Sequence, residues 1–177
     1  MAATAYPPPA PSSALEPKKV VIVGSAGCGK SALVQRALTN TYSNHYQQTF
    51  GADLSVKTTT EKNKYSLNLW CCGGHERYRA LLEQFFVGAN AVILCFDMLN
   101  TSSFMELPFW YNEYKRNCPD ALAVIVGTKS DDADAIKVPT QDALKQAKEW
   151  SIEFRAVSAK TGMNVAELFE IVQGGIP

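Results

Sequence analysis

Residues 24–31 read Gly-Ser-Ala-Gly-Cys-Gly-Lys-Ser, a spacing that binds phosphate chains. They follow the apolar run 20–23 and lead into a segment with a helical pattern. The small residues let backbone N–H groups wrap around phosphate, and the helix N-terminus adds the positive end of its dipole. In this pattern Lys30 reaches the outer phosphates and Ser31 holds a magnesium ion. The candidate phosphate-binding residues are Ala26, Gly27, Cys28, Gly29, Lys30, Ser31 and Ala32.

Two later loops carry residues suited to bind the base of a nucleotide. Asp131, in the run 128–131 after an apolar strand, offers a carboxylate to the N1 and N2 donors of guanine, which adenine lacks. The aliphatic stem of Lys129 suits the face of the ring, and the N–H of Ala159 suits the guanine O6 acceptor. These loops argue against an ATPase or a P-loop kinase. The candidate base-binding residues are Thr128, Lys129, Asp131, Ser158, Ala159 and Lys160.

The elements that position these loops alternate between strands and helices. The predicted strands are 20–23, 52–60, 65–70, 91–96, 122–126 and 152–157, and the predicted helices are 30–38, 77–86, 102–115, 140–150 and 165–172. This order predicts a three-layer α/β fold with a mainly parallel six-stranded sheet and helices on both faces. Residues 58–63 form the tip of the one antiparallel hairpin. The three loops then lie at the carboxyl ends of strands, where such sheets bind ligands.

Length and composition set the class of protein. A chain of 177 residues, 46% of them hydrophobic, fits one globular domain. Seventeen basic and 17 acidic residues cancel, so no overall field favours nucleic acid or an anionic surface. Five cysteines without C-x-x-C spacing indicate a reducing compartment, and we expect a cytoplasmic protein. No apolar run approaches the roughly 20 residues of a membrane-spanning helix.

Residues 1–17 differ from the rest of the chain in being rich in Ala and Pro. They lack hydrophobic periodicity, and we expect a disordered arm that precedes a domain at 18–177. We interpret this arm as a plain solvated extension, and the alternative is that residues 6–11 bind a proline-recognising partner.

The phosphate loop and the two base loops, in this order, resemble those of Ras-superfamily small GTPases, and the chain most resembles the Rab branch. Rab-like segments are 66–70, 77–79, 85–89, 94–97, Ser103, Phe104 and Trp110. Thr128 stands where many Rab proteins have Asn, and Rho-like relatives share the Thr. The resemblance implies a GTP/GDP switch with magnesium, in which Tyr42 packs near the base or ribose. It also implies that Ser31 and Thr49 bind the metal and that Gly74 N–H holds the terminal phosphate, with loops that order around it.

The resemblance also implies partners. Effectors, an exchange factor and a GTPase-activating protein would bind a monomer through the switch regions 46–54 and 70–86. Trp70 and Tyr78 are either surface aromatics that contact effectors or ordinary core residues. The sequence given ends without a prenylation cysteine and has Ala2 in place of a myristoylated Gly, so we expect no direct membrane anchor in this chain. Two explanations remain open: a C-terminal tail has been removed, or the protein lacks a lipid anchor. Attachment to intracellular membranes would then depend on a partner or on a tail absent here.

Residues 71–76 depart from the family pattern. The chain reads Cys-Cys-Gly-Gly-His-Glu where the family has Asp-Thr-Ala-Gly-Gln-Glu. Cys71 therefore replaces a carboxylate that supports magnesium, and a thiol is a poor substitute, so we expect weak metal binding and fast exchange. His75 replaces the glutamine that orients the attacking water, although translation elongation GTPases use Gly-His in that role.

The candidate catalytic residues are His75, Gly74, Lys30 and Thr49. Two hypotheses remain open. The first is a switch that hydrolyses GTP slowly, because one positioning group and one charge are altered. The second is a pseudo-GTPase scaffold that binds guanine nucleotide, or none, without turnover.

Overall fold

A computed structural model of the chain describes residues 16–58 and 65–176. The strands are β1 (Glu16–Gly24), β2 (Ala52–Thr58), β3 (Tyr65–Cys72), β4 (Ala91–Asp97), β5 (Leu122–Thr128) and β6 (Glu153–Ala156). The α-helices are α1 (Lys30–Thr39), α2 (Leu82–Phe86), α3 (Thr101–Met105), α4 (Leu107–Asn117), α5 (Thr140–Trp150) and α6 (Val165–Gly175). A 3-10 helix, Glu76–Leu81, precedes α2.

The six strands form one sheet in the order β2-β3-β1-β4-β5-β6. Among these described strands, only the β2–β3 pair is antiparallel, and the other four pairs are parallel. The predicted α/β fold class is therefore confirmed. The central strand β1 pairs with β3 on one side and with β4 on the other. The strand order therefore reverses at β1, and such sheets bind ligands in the crevice at the carboxyl end of the strands at this position. The phosphate loop begins there.

Alternate residues of β1 supply the cores on the two faces of the sheet. Val20 and Ile22 pack with α1 and α6, whereas Val21 and Val23 pack with α2, α4 and α5. All four valine and isoleucine side chains are fully buried, as expected of a central strand covered on both faces. This packing holds the start of the phosphate loop rigidly between two hydrophobic layers.

Two predicted helices are corrected by the structure. The predicted helix 102–115 is interrupted at Glu106, because Pro108 has no N–H for Phe104 and sits instead in the first turn of α4. The predicted helix 77–86 begins as the 3-10 helix Glu76–Leu81, a tighter coil from which Arg79 reaches across to α4.

The remaining differences concern the ends of elements. β1 starts at Glu16, earlier than the predicted 20–23, and β6 is one residue shorter at each end than the predicted 152–157. The predicted hairpin joins β2 to β3 as expected, but 59–64 of its tip lie outside the described residues, as do residues 1–15 of the proposed arm. Within the described ranges, no helix has the length and apolar character needed to cross a membrane.

Candidate functional site

The phosphate loop connects β1 to α1 and ends in a left-handed residue. Gly29, the residue before α1, has φ 93° and ψ 13°, a conformation that glycine adopts without strain. Since Gly29 has no side chain, it cannot cap the helix, and the first N–H groups of α1 remain available to an anion. The local sequence therefore leaves the N-terminus of α1 uncapped by a side chain, as an anion-binding helix terminus requires.

Lys30 lies across the inside of this loop. Its Nζ donates to Gly24 O at 2.7 Å and to Ser25 O at 2.8 Å, and the side chain is 6% exposed. Cys28 Sγ lies 3.7 Å from the same Nζ. The ammonium group thus stands among the carbonyl groups of the loop.

The predicted base loops meet behind the phosphate loop. Thr128 Oγ1 lies within hydrogen-bonding distance of Cys28 O and, at 3.0 Å, of Phe96 O, so that its one proton ties the end of β5 to these backbone carbonyls. Lys129 Nζ donates to Gly27 O at 3.1 Å. Ser158 Oγ donates to Asp131 Oδ1 at 2.6 Å and so orients that carboxylate. The segments 128–131 and 158–160 are consequently held in one arrangement with the phosphate loop.

Two adjoining cavities occupy this edge of the sheet. One of about 770 Å³ lies against the phosphate loop, and one of about 210 Å³ lies against the base loops. The first is lined, among the predicted residues, by Ala26, Gly27, Gly29, Lys30, Ser31, Ala32, Tyr42, Thr49, Gly74, His75 and Lys129. The second is lined by Gly29, Ala32, Tyr42, Thr128, Lys129, Asp131, Ala159 and Lys160.

Two predicted residues do not line either cavity. Cys28 is 1% exposed and directs its Sγ toward Cys95 O at 3.7 Å, so that its backbone rather than its thiol belongs to the loop. Ser158 is fully buried and acts through its bond to Asp131. Tyr42, in contrast, borders both cavities, at the boundary where the resemblance places a base or ribose.

The two residues proposed to hold a metal, Ser31 of α1 and Thr49 of the loop before β2, lie together beside Cys71 of β3. Ser31 Oγ lies 3.1 Å from Thr49 Oγ1 and 3.5 Å from Cys71 Sγ. Burial raises the pKa of the Cys71 thiol, which therefore stays neutral at pH 7. Among the described residues, no cluster of three or more His, Cys, Asp or Glu side chains could hold a metal. The two hydroxyls suit Mg²⁺, whereas the neutral thiol beside them does not replace a carboxylate.

Gly74 and His75 also line the first cavity. A Cβ on Gly74 would lie 2.3 Å from Gly24 O and 2.4 Å from Ala26 N, so only glycine permits this approach to the phosphate loop. His75 is exposed, and its Nδ1 accepts a hydrogen bond from Arg77 N at 3.3 Å. Because a neutral imidazole carries one proton, that proton then resides on Nε2.

Two positioning residues were missed by the sequence analysis. Arg36 of α1 donates to Ala159 O and Lys160 O, both at 2.6 Å, and so braces the second base loop. Asp97, at the end of β4, forms an ion pair of 2.6 Å with Lys129. The position of Asp97 at the carboxyl end of an apolar strand was an available signal. Arg36 had none, because its partners are backbone carbonyls more than 120 positions away.

A family model described as Ras family matches residues 19–176. The chain belongs to the Ras family. Membership makes it a GTP-binding small GTPase of the switch type, with guanine nucleotide as its ligand, and typically Mg²⁺ as well. Ras-family proteins act through regulators and effectors. In this Ras-family chain the two cavities and the loops around them are the candidate nucleotide site.

Proposed function

We propose that this chain is a Rab-like guanine-nucleotide switch that hydrolyses GTP slowly and works in intracellular trafficking. The observation that carries the proposal is the meeting of the phosphate loop with Asp131 and Ala159 around two adjoining cavities. The Rab-like type and the trafficking role are supported by the Rab-like segments between residues 66 and 110.

Guanine recognition follows from the hydrogen bonds around Asp131. Its Oδ1 accepts from Ser158, so the carboxylate is held and can present its other lone pairs to the N1 and N2 donors of guanine. Lys129 is fixed by Asp97 and Gly27, which directs its aliphatic stem along the side of the cavity. These groups match guanine and leave unpaired acceptors beside adenine, which costs affinity.

Slow hydrolysis follows from His75. With Nδ1 engaged by Arg77, the neutral ring offers only an Nε2 donor, so it can orient a water molecule but cannot take its proton. Lys30 supplies positive charge at the outer phosphates, and Gly74 supplies a backbone N–H close to the loop. The glutamine that positions the attacking water is replaced by His75, and one negative charge near the metal is lost, and phosphoryl transfer depends on both positioning and charge.

Metal binding in this proposal uses the hydroxyls of Ser31 and Thr49. When bound, Mg²⁺ neutralises phosphate charge. Cys71 adds no charge to this site because its thiol is buried and protonated. We therefore propose that magnesium binds more weakly here than at a site with a carboxylate at position 71, and that nucleotide exchange is faster.

The Cys71→Asp variant tests this account of the metal. We expect magnesium to bind about tenfold more tightly, because removing or adding a charged outer ligand changes metal affinity by roughly 10- to 100-fold. The measurement is the rate of fluorescent GDP release across a magnesium titration. Cys71→Ser, which adds an oxygen without charge, is the matched control. An identical magnesium dependence in all three proteins would contradict the proposed role of the missing carboxylate.

The proposed partner surface consists of β2, the segment before it and the aromatic pair Trp70–Phe85. Tyr46 and Phe50 are 67% and 70% exposed, and β2 is an edge strand with Leu54 on its exposed side. Trp70 is half-buried, with its ring centroid 6.3 Å from that of Phe85. Exposed apolar groups next to the nucleotide site suit an effector or regulator that senses the bound nucleotide.

The second candidate function is a pseudo-GTPase scaffold. The observation that favours it is that a neutral Cys71 and an exposed His75 stand at the two positions where the family has Asp and Gln. Such a protein would bind partners through the same surface without turnover. Single-turnover hydrolysis of bound GTP separates the two: release of phosphate above the uncatalysed rate excludes the scaffold.

The experiment that tests the proposed function is equilibrium binding of GDP, GTP and ATP with magnesium and after its chelation. Guanine nucleotides are expected to bind much more tightly than ATP, and chelation is expected to weaken them. Equal competition by ATP would overturn the assignment of the base. Guanine binding that is indifferent to magnesium would favour the scaffold.

A further inference from the structure

Glu106 joins the phosphate loop to the segment that follows His75. Its Oε2 accepts a hydrogen bond from Ser25 Oγ at 2.8 Å and one from Arg79 Nη2 at 3.3 Å. One carboxylate oxygen therefore holds both the phosphate loop and the 3-10 helix that follows His75. Neither the phosphate-loop pattern nor the candidate catalytic residues include this contact.

Arg79 is also held by the aromatic side chains of α4. Its guanidinium carbon lies 4.2 Å from the ring centroid of Phe109 and 5.8 Å from that of Trp110. Planar guanidinium groups stack well on aromatic rings. Because the side chain of Arg79 is only 31% exposed, solvent screens its ion pair with Glu106 only in part. The 3-10 helix is thus fastened to the first turn of α4.

The Glu106 side chain is free to serve this contact because it caps neither helix. Glu106 lies between α3 and α4, and its backbone carbonyl accepts from Phe109 N and Trp110 N. A substitution that changes only the side chain leaves those backbone bonds in place. Loss of the carboxylate consequently weakens the contacts of Glu106 with Ser25 and Arg79 and leaves the two helices intact.

The segment from Gly74 to Arg79 is fixed at both ends. Gly74 lies directly against the backbone of residues 24–26, and Arg79 is tied through Glu106 to Ser25 of the same loop. His75 lies between the two anchors. A movement of this segment away from the phosphate loop must break the Arg79–Glu106 contact and disturb the acceptor of Ser25.

We propose that Glu106 is a positioning residue that couples the phosphate loop to the 74–79 segment and thereby favours the GTP-bound state. The proposal rests on the proposed function, since it assigns nucleotide discrimination to a contact outside the cavity. GTP, unlike GDP, needs Gly74 at the terminal phosphate, so a contact that holds Gly74 near the loop stabilises GTP binding selectively.

Glu106→Gln is the first variant to compare with the unmodified chain. The amide oxygen can still accept from Ser25, whereas the charge that holds Arg79 is lost. We expect the ratio of GDP to GTP dissociation constants, measured with a hydrolysis-resistant GTP analogue, to fall about two- to fivefold, the range of a partly exposed ion pair. Glu170→Gln, on the opposite face of the sheet, is the matched control and should leave the ratio unchanged. An equal loss of affinity for both nucleotides would overturn the proposal.

A double-mutant cycle tests whether the coupling runs through Glu106. Ser25→Ala and Arg79→Met each remove one bond to the shared oxygen, and Met keeps apolar contact with Phe109. In the parent chain we expect the two substitutions to have non-additive effects on the ratio of the GDP and GTP dissociation constants. In the Glu106→Gln background we expect their effects to be additive. Additivity in both backgrounds would refute the coupling.

Failure of the proposed function is distinguishable from failure of this inference. If the unmodified chain binds no guanine nucleotide, the proposed function fails. Hydrogen exchange of residues 73–86 in the protein without nucleotide then tests the contacts of Glu106 with Ser25 and Arg79 alone. Faster exchange in Glu106→Gln than in Glu170→Gln supports the positioning role, and equal exchange overturns it.

Discussion

Replacement of Asp131 by Asn is expected to weaken GDP and GTP binding by about 100-fold or more and to favour xanthine nucleotides. The carboxylate can accept from both the N1 and the N2 donors of guanine, and each bond to a charged acceptor is stronger than a neutral one. An asparagine amide would place its own N–H group against the guanine amino group. Xanthine has a carbonyl oxygen at that position, which the amide N–H can satisfy.

The measurement is equilibrium binding of fluorescent guanine and xanthine nucleotides to both proteins. Asp134→Asn, an exposed carboxylate of the same loop, is the matched control and should change neither affinity. Ser158 Oγ can donate to the carbonyl oxygen of the substituted amide as it does to the native carboxylate, so we expect the loop to keep its position. Unchanged preference for guanine in Asp131→Asn would show that another group selects the base.

The Lys30→Met variant is expected to lose about 100-fold or more in affinity for GDP and GTP. Met retains the length of the buried stem but removes an ammonium group that stands among the carbonyls of Gly24 and Ser25 at 2.7 and 2.8 Å. Without that charge, phosphates entering the cavity meet uncompensated carbonyl oxygens. Charge-assisted hydrogen bonds to phosphate are also lost.

Isothermal titration with GDP measures this effect, and thermal unfolding without nucleotide checks that the variant folds. Lys145→Met, an exposed lysine on α5, controls for the change in net charge. If Lys30→Met binds GDP as tightly as the Lys145→Met control does, the segment 24–31 is not a phosphate-binding loop.

The alternation of elements was predictable because hydrophobic periodicity depends on near neighbours. All six strands and the order of the helices follow from it. The break at Glu106 could have been predicted from Pro108, whose missing N–H is a local property. The 3-10 helix at Glu76–Leu81 could not, because it accompanies the contact of Arg79 with Glu106, 27 residues further along the chain.

The sequence by itself determined the pattern of the phosphate loop and the identity of the groups that we propose face the base. The geometry of this loop and of the helix terminus after it depends on residues that are neighbours in the sequence, such as Gly29 and Lys30. The carboxylate of Asp131 likewise has its chemical preference wherever it lies.

Only the tertiary structure decided which distant side chains share an atom or a cavity. Ser31 meets Thr49 and Cys71 across 18 and 40 positions of sequence, and Glu106 holds Ser25 from 81 positions away. Such meetings depend on strand order and on the packing of helices against the sheet, which no local pattern encodes. The tertiary structure likewise raises the pKa of the Cys71 thiol above its ordinary value, because the side chain is buried.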